Sequence, residues 1–130
     1  MHLRQERVGR VAVTVDEHPE IFPVNYAVDE HGDIFFRTDP GTKLDGVSRA
    51  QTIAFEIDGF DLERENGWSV LVVGEARWVA DPGEIERARS LPFAPWTAGE
   101  KANVVRLRPE KVTGRRIFQP VMSDRHAPEE

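Results

Sequence analysis

Arg37, Thr38, Thr42 and Lys43 stand on either side of Pro40-Gly41 in the stretch Phe35-Phe36-Arg37-Thr38-Asp39-Pro40-Gly41-Thr42-Lys43-Leu44. Adjacent Pro and Gly punctuate a backbone and reverse it, so the turn is expected to bring both cations and both hydroxyls to one side. That set suits a phosphate monoester: cations balance its charge, and hydroxyl and backbone N–H donors give direction. Asp39 reads as an N-cap with Pro40 at the first helical position. A short helix would then run through Lys43 to Val47, its free N–H groups favouring an anion. The same residue types also suit a plain strand-to-helix turn with solvated Arg and Lys.

The flanking segments must position this turn. Val11, Val13 and Val15 alternate with Ala12 and Thr14, the period-2 signal of a strand. Asp16-Glu17-His18-Pro19 reads as a turn cluster, Ile21 to Val28 as a second strand, and Asp29 to Asp33 as the next turn. Pro23 cannot donate to a ladder, which argues for an edge, a bulge or a strand start. Ile34 to Arg37 is a third strand, and the three form an antiparallel meander. Thr52 to Asp58 is a fourth strand. Trp68 to Val79 is a long fifth, with Trp68, Val70, Val72, Ala76 and Trp78 on one face and Ser69, Leu71, Val73, Glu75 and Arg77 on the other. Trp78 is expected to be buried, and Gly74 marks a bend or bulge. Asp81-Pro82-Gly83-Glu84 opens a helix to about Ser90 in a capping-box-like pattern. Val104 to Arg108 and Lys111 to Phe118 read as two last strands around Pro109-Glu110. Six or seven strands with two short helices predict a mainly β fold, a small antiparallel barrel.

Composition narrows the function. At 130 residues one domain is expected, with a core over about 7–118 and a polar tail at 119–130. Without cysteine, disulfides, thiolate metal sites and cysteine nucleophiles are excluded. A net charge of −6 argues against general nucleic-acid binding. No apolar run approaches the roughly 18 residues of a membrane span, and the N-terminus lacks the apolar core of a signal peptide; the expected location is cytoplasmic. His2, His18, His31 and His126 sit in turns or near termini, with no pair at i, i+4, so no metal site is read. Asp58, Asp61, Glu63 and Glu65 read as a solvated acidic loop. No serine has a nucleophile-elbow context, and no dinucleotide fingerprint or Walker motif is present. An enzyme built this way would leave its chemistry to a cofactor. Trp68 to Val73 is apolar on both faces, and Leu91-Pro92-Phe93-Ala94-Pro95-Trp96 adds two aromatics between prolines. Together they predict a homodimer with the patch set against itself.

The ordered set Val8-Gly9-Arg10-Val11-Ala12-Val13, Pro23-Val24-Asn25-Tyr26-Ala27-Val28, Ile34-Phe35-Phe36-Arg37-Thr38, Gly41-Thr42-Lys43, Ala54-Phe55-Glu56-Ile57-Asp58 and Trp68-Ser69-Val70-Leu71-Val72-Val73-Gly74-Glu75-Ala76 resembles the pyridoxamine 5'-phosphate oxidase-like flavoproteins, especially their small actinobacterial-type members. The closing Val105 to Arg115 run also fits that branch. The resemblance implies an FMN-binding split β-barrel, a homodimer with two FMN sites between subunits, and oxidoreductase activity on a small-molecule substrate. It implies that Val24, Asn25 and Tyr26 line the isoalloxazine ring, partly through their backbone. Arg37, Thr38, Thr42 and Lys43 would meet the phosphate, and Trp68 and Ser69 would come near the ring, often from the other subunit. Many relatives carry Ser-Arg-Lys where this chain has Gly41-Thr42-Lys43, one cation fewer. The substrate-binding residues of true pyridoxamine-phosphate oxidases are not recognisable. The alternatives are a deazaflavin coenzyme, whose acidic tail would need Arg10, Arg49 and Arg106 to converge, and a non-catalytic flavin-binding or flavin-free dimeric module.

Overall fold

Asp16 and Glu17 both adopt left-handed backbone, with φ of 51° and 67°. Two such residues make a hairpin turn whose twist matches its strands, so the turn needs only those two. Strand β1 is Val8–Val15 and strand β2 begins directly at His18, running to Val28, with Val15 paired to His18. The wider turn cluster expected from the sequence is therefore corrected: His18 and Pro19 belong to the strand. A computed structural model describes residues 8–38, 51–91 and 103–118. The expected short helix from Pro40 through Lys43 to Val47, with Thr42, and Arg49, Phe93, Trp96 and the tail at 119–130 lie outside them.

The remaining elements are β3 (Ile34–Thr38), β4 (Gln51–Asp61), β5 (Asn66–Trp78), α1 (Pro82–Arg89) and β6 (Asn103–Phe118). The strands close into an antiparallel barrel in the order β1-β2-β3-β6-β5-β4. Closure is uneven because β3 is short. It pairs with β2 only at residues 26–28 and with β6 only at 103–107. The first part of β2 and the last part of β6 thus gain no partner on that side among the described residues. Pro23 lies in this half-paired part of β2, opposite Arg10 of β1, where a missing N–H is tolerated.

Period-2 alternation sorts side chains to two places. Val11, Val13, Ile34, Phe36, Ile53, Phe55, Ile57, Val72 and Leu107 fill the barrel interior. Ala27, Phe35, Val79 and Val104 point outward and are covered by Ala88 of α1, with Ile85 and Leu91 at its margin. Helix α1 forms where the local signals place it. Asp81 accepts the Glu84 N–H at 3.0 Å, Pro82 opens the helix, and Ser90 closes it. The Glu84 carboxylate does not complete the reciprocal half of a capping box; it reaches Arg106 at 2.7 Å instead.

Two expectations change. Trp78 packs against the core but is only half-buried. The two closing strands are one: β6 runs through Pro109-Glu110 with a bulge opposite Val73 and Gly74, where the partner of Val73 is Lys111 and that of Gly74 is Pro109. Pro109 has no N–H for the ladder, and the extra residue absorbs the irregularity. Gly74 allows the close approach, since a Cβ there would lie 2.1 Å from the Arg108 carbonyl oxygen. Backbone cannot swing aside as a side-chain tip can. Gly74→Ala is expected to destabilise the fold by about 1–3 kcal/mol, read from denaturant midpoints. Wild-type stability would show that the bulge relaxes freely.

Candidate functional site

Residues that end a short strand inherit its alternation. Ile34 and Phe36 point into the barrel and Phe35 points out to α1, so Arg37 follows Phe35 outward and Thr38 follows Phe36 inward. The expectation that both would share one side of the turn is corrected for this pair, because consecutive residues of a strand leave opposite faces. Arg37 is half-buried opposite Val104. Thr38 is 4% exposed, and its Oγ1 has no hydrogen-bond partner among the described residues. A buried hydroxyl left unmade costs about 1–3 kcal/mol, so the end of β3 is a place where an added acceptor would be stabilised.

Tyr26 pairs with Phe36, which sets Asn25 beside Arg37 in the next row of the antiparallel ladder. Asn25 is exposed and faces outward, whereas Val24 and Tyr26 turn into the core, Tyr26 with its ring 4.9 Å from Phe55 and nearly perpendicular to it. Only Asn25 of this trio therefore offers a side chain to the outer face; Val24 and Tyr26 can serve a ligand there only through backbone groups.

Trp68 and Ser69 lie elsewhere on the barrel. Asn25 pairs with Val8 of β1, β1 pairs with β4, and Asp58 of β4 pairs with Ser69 of β5. Ser69 is thus four strands from Arg37 by this route; by way of β6 it is two, but there Ser69 pairs with Arg115 and Arg37 with Val104, positions 104 and 115 standing at opposite ends of the long strand. Trp68 points to the inner face, packs against the core, and lies across Gly59 of β4, where a Cβ would meet its ring at 2.8 Å. Its side chain is a structural plug as much as a ligand candidate. With Ser69, Arg115 and Arg116 it borders a cavity of about 480 Å³.

The family described as pyridoxamine 5'-phosphate oxidase matches residues 1–116. A solved FAD binding protein from Mycobacterium smegmatis is 39% identical, with 91% of each chain covered and a TM-score of 0.79. A conserved protein of unknown function from Corynebacterium diphtheriae is 38% identical, with 91% of this chain and 90% of that one covered and a TM-score of 0.75. An uncharacterised Mycobacterium tuberculosis protein is 38% identical over 114 residues, 84% of this chain and 74% of the relative. This chain belongs to the pyridoxamine 5'-phosphate oxidase family. Its barrel is the split barrel that the resemblance implied.

Two charged clusters of this pyridoxamine 5'-phosphate oxidase family member were not legible in its sequence. Arg106 of β6 donates from Nε to Asp33 at 2.7 Å and from Nη1 to Glu84 at 2.7 Å, with its guanidinium 5.9 Å from the Phe35 ring. Burial alone would lower the Arg106 pKa, but the hydrogen bonds to Asp33 and Glu84 outweigh it and raise it. This contact ties the β2–β3 turn, β6 and α1 behind the strand that carries Arg37. Arg10 of β1 bridges Glu56 at 2.9 Å and Asp58 at 3.1 Å on β4. The two arginines serve separate carboxylate pairs, and Arg49 lies outside the described residues. Arg10 and Arg106 do not converge, so the basic groove a deazaflavin tail would need is not assembled from them.

Burial, and then hydrogen bonding to Asp58, pushes the Glu56 carboxyl above its ordinary value, against the pull of Arg10. The folded state then holds that proton more tightly than the unfolded chain. The stabilisation is complete below the unfolded pKa and is lost as pH rises through the raised folded value. Glu56→Gln keeps an acceptor for Arg10 and removes the titration. The variant is therefore expected to gain on the wild type as pH rises from about 4 to 7, measured as paired denaturant midpoints. A difference that stays constant with pH would refute the assignment. No helix among the described residues is long and apolar enough to cross a membrane.

Proposed function

We propose that this protein is a flavin-dependent oxidoreductase acting on a small molecule, with the flavin held at the end of β3 and at the boundary of a homodimer. The observation that carries the reading is the buried Thr38 hydroxyl, without a hydrogen-bond partner among the described residues, at the end of the strand that also bears half-buried Arg37. Support comes from family membership and from a 39% identical relative described as FAD binding. At the end of β3 the two faces meet at the rim of the barrel, where Arg37 from the outer side and Thr38 from the inner side would hold the phosphate end, joined by Thr42 and Lys43. Asn25, with the backbone of Val24 and Tyr26, would line the ring. The distance between that group and Ser69 within one chain favours a shared site, in which a second subunit brings Trp68 and Ser69. A bound flavin would supply hydride and electron transfer, while the chain binds it, orients it and limits water. FMN is the form the resemblance implies.

The visible absorption spectrum of the purified protein, with mass spectrometry of what denaturation releases, tests this. Released FMN supports the full reading. Released FAD keeps the flavin and changes its form, and a deazaflavin replaces it. A protein that carries no flavin and binds none when FMN or FAD is added would overturn the proposal. A bound flavin that no small donor reduces would leave a non-catalytic flavin-binding module.

A further inference from the structure

Arg106 collects more negative charge than it needs. Asp33 reaches its Nη2 at 2.6 Å and Glu84 its Nη1 at 2.7 Å. Two carboxylates serve one guanidinium, which leaves that group one formal negative charge. Farther along β6 the balance is reversed. Arg108 leaves the same face of the strand, is exposed, and has no ion-pair partner among the described residues. Glu75 of β5 stands directly opposite Arg108, yet its carboxylate goes to Arg77 on its own strand at 3.0 Å. That pair is balanced. All of these groups except Asp33 line one cavity of about 320 Å³, together with Trp78 and Val79. The cavity therefore has an acidic end at Glu84 and a basic end at Arg108, and the two do not meet. Opposite charges held apart in this way favour a ligand that brings the complementary sign to each.

We propose that this cavity binds a free α-amino acid with a neutral side chain, its carboxylate on Arg108 and its ammonium on Glu84. Arginine presents a planar fork that takes a carboxylate on two parallel hydrogen bonds. Glu84 gives one oxygen to Arg106 and keeps acceptor sites for an ammonium. Arg106 and Arg108 stand about 7 Å apart along the strand at ~3.4 Å per residue, so an ammonium and a carboxylate on one carbon fit between the two ends. A simple anion or cation would answer only one end. A neutral side chain suits the rest of the lining, which is a balanced ion pair with Trp78 and Val79. The volume lies at the lower end of ligand pockets, roughly 300–1,000 Å³, which favours a small molecule. The place is separate from the end of β3. Arg108 stands four residues along β6 from Val104, the partner of Arg37, about 14 Å at ~3.4 Å per residue. Phe35 and Val104, packed under Ala88, lie between.

The test is calorimetric titration of the full-length protein with the neutral L-amino acids, each beside its two half-ligands. For leucine these are isocaproate, which lacks the amine, and isoamylamine, which lacks the acid. At least one amino acid is expected to bind about tenfold or more tightly than either of its half-ligands. Arg108→Gln and Glu84→Gln should each lower that affinity about tenfold or more. Lys111→Gln, on the same strand outside the cavity, should leave it unchanged. Glu84→Gln also loosens the Arg106 contact, so Arg108→Gln, at an exposed position, is the deciding variant. No binding of any neutral amino acid up to about 10 mM overturns the proposal. So does a half-ligand acid that binds as well as its amino acid, which makes the cavity a plain anion site, or an affinity that Arg108→Gln does not change.

Flavin titration of the amino-acid-loaded protein separates this inference from the functional one. Flavin and amino acid that bind together keep the cavity as a second site. FMN or FAD that competes with the amino acid gives the cavity to the flavin and overturns the inference. A protein that binds the amino acid and no flavin keeps the inference and rejects the functional reading.

Discussion

Phe55→Ala should cost about 3–5 kcal/mol of stability, the range for removing a fully buried aromatic side chain from a core. Phe55 is 0% exposed and stands edge-on to Tyr26 with ring centroids 4.9 Å apart. The side chain also ties distant parts of the chain together. Its strand β4 pairs with β1 and β5, and Tyr26 belongs to β2. An edge-to-face aromatic pair adds about 0.5–1.5 kcal/mol beyond area burial. Urea or guanidinium unfolding reads the loss directly. A cost near that of an exposed substitution, below about 0.5 kcal/mol, would mean that the barrel interior is not packed as described. The stability of a small domain is only about 5–15 kcal/mol, so Phe55→Ala should also lower the yield of folded protein. Phe55→Leu keeps most of the volume and is the variant for binding studies on this part of the core.

Arg37→Ala should weaken flavin binding roughly ten- to a hundredfold. A charge-assisted hydrogen bond contributes about 1.5–3 kcal/mol, and each 1.4 kcal/mol is about tenfold in affinity. Thr38→Val is the companion experiment. It is nearly isosteric and removes a hydroxyl that, without a ligand, has no partner among the described residues. In the flavin-free protein it should therefore leave stability unchanged or raise it, since a buried polar group is deleted. In the flavin-bound protein it should lower affinity. That opposite pair of signs distinguishes a ligand-binding hydroxyl from one with a merely structural role. An unchanged dissociation constant in both variants would remove the end of β3 from the site.

Much of the barrel was legible in the chain. Val11, Val13 and Val15 announce β1, and Ile53, Phe55 and Ile57 announce β4, because a strand with one buried face must repeat every second residue. Asp81-Pro82 placed the start of α1 because a cap acts within one helical turn. Gly74 marked the bulge for a similarly local reason. The ordered motifs from Val8 to Ala76 pointed to the family, and the family comparison bears that out.

What the chain alone did not disclose depends on which strand lies beside which. The merging of Lys111–Phe118 with Val104–Arg108 follows from one long partner, β5, that pairs across Pro109; seen locally, a proline reads as a break. The opposite faces of Arg37 and Thr38 follow from β3 continuing to Thr38 alongside β6. The turn residues beyond it suggested one shared side. Arg10 meets Glu56 across 46 residues, and Arg106 meets Asp33 across 73. No period or cap carries information over such a separation. Those contacts exist because barrel closure brings β1 against β4 and β3 against β6, and closure is a property of the whole set of pairings. Local chemistry therefore determined the elements and the faces they bury. The tertiary structure alone decided which charges meet and which candidate residues share a surface.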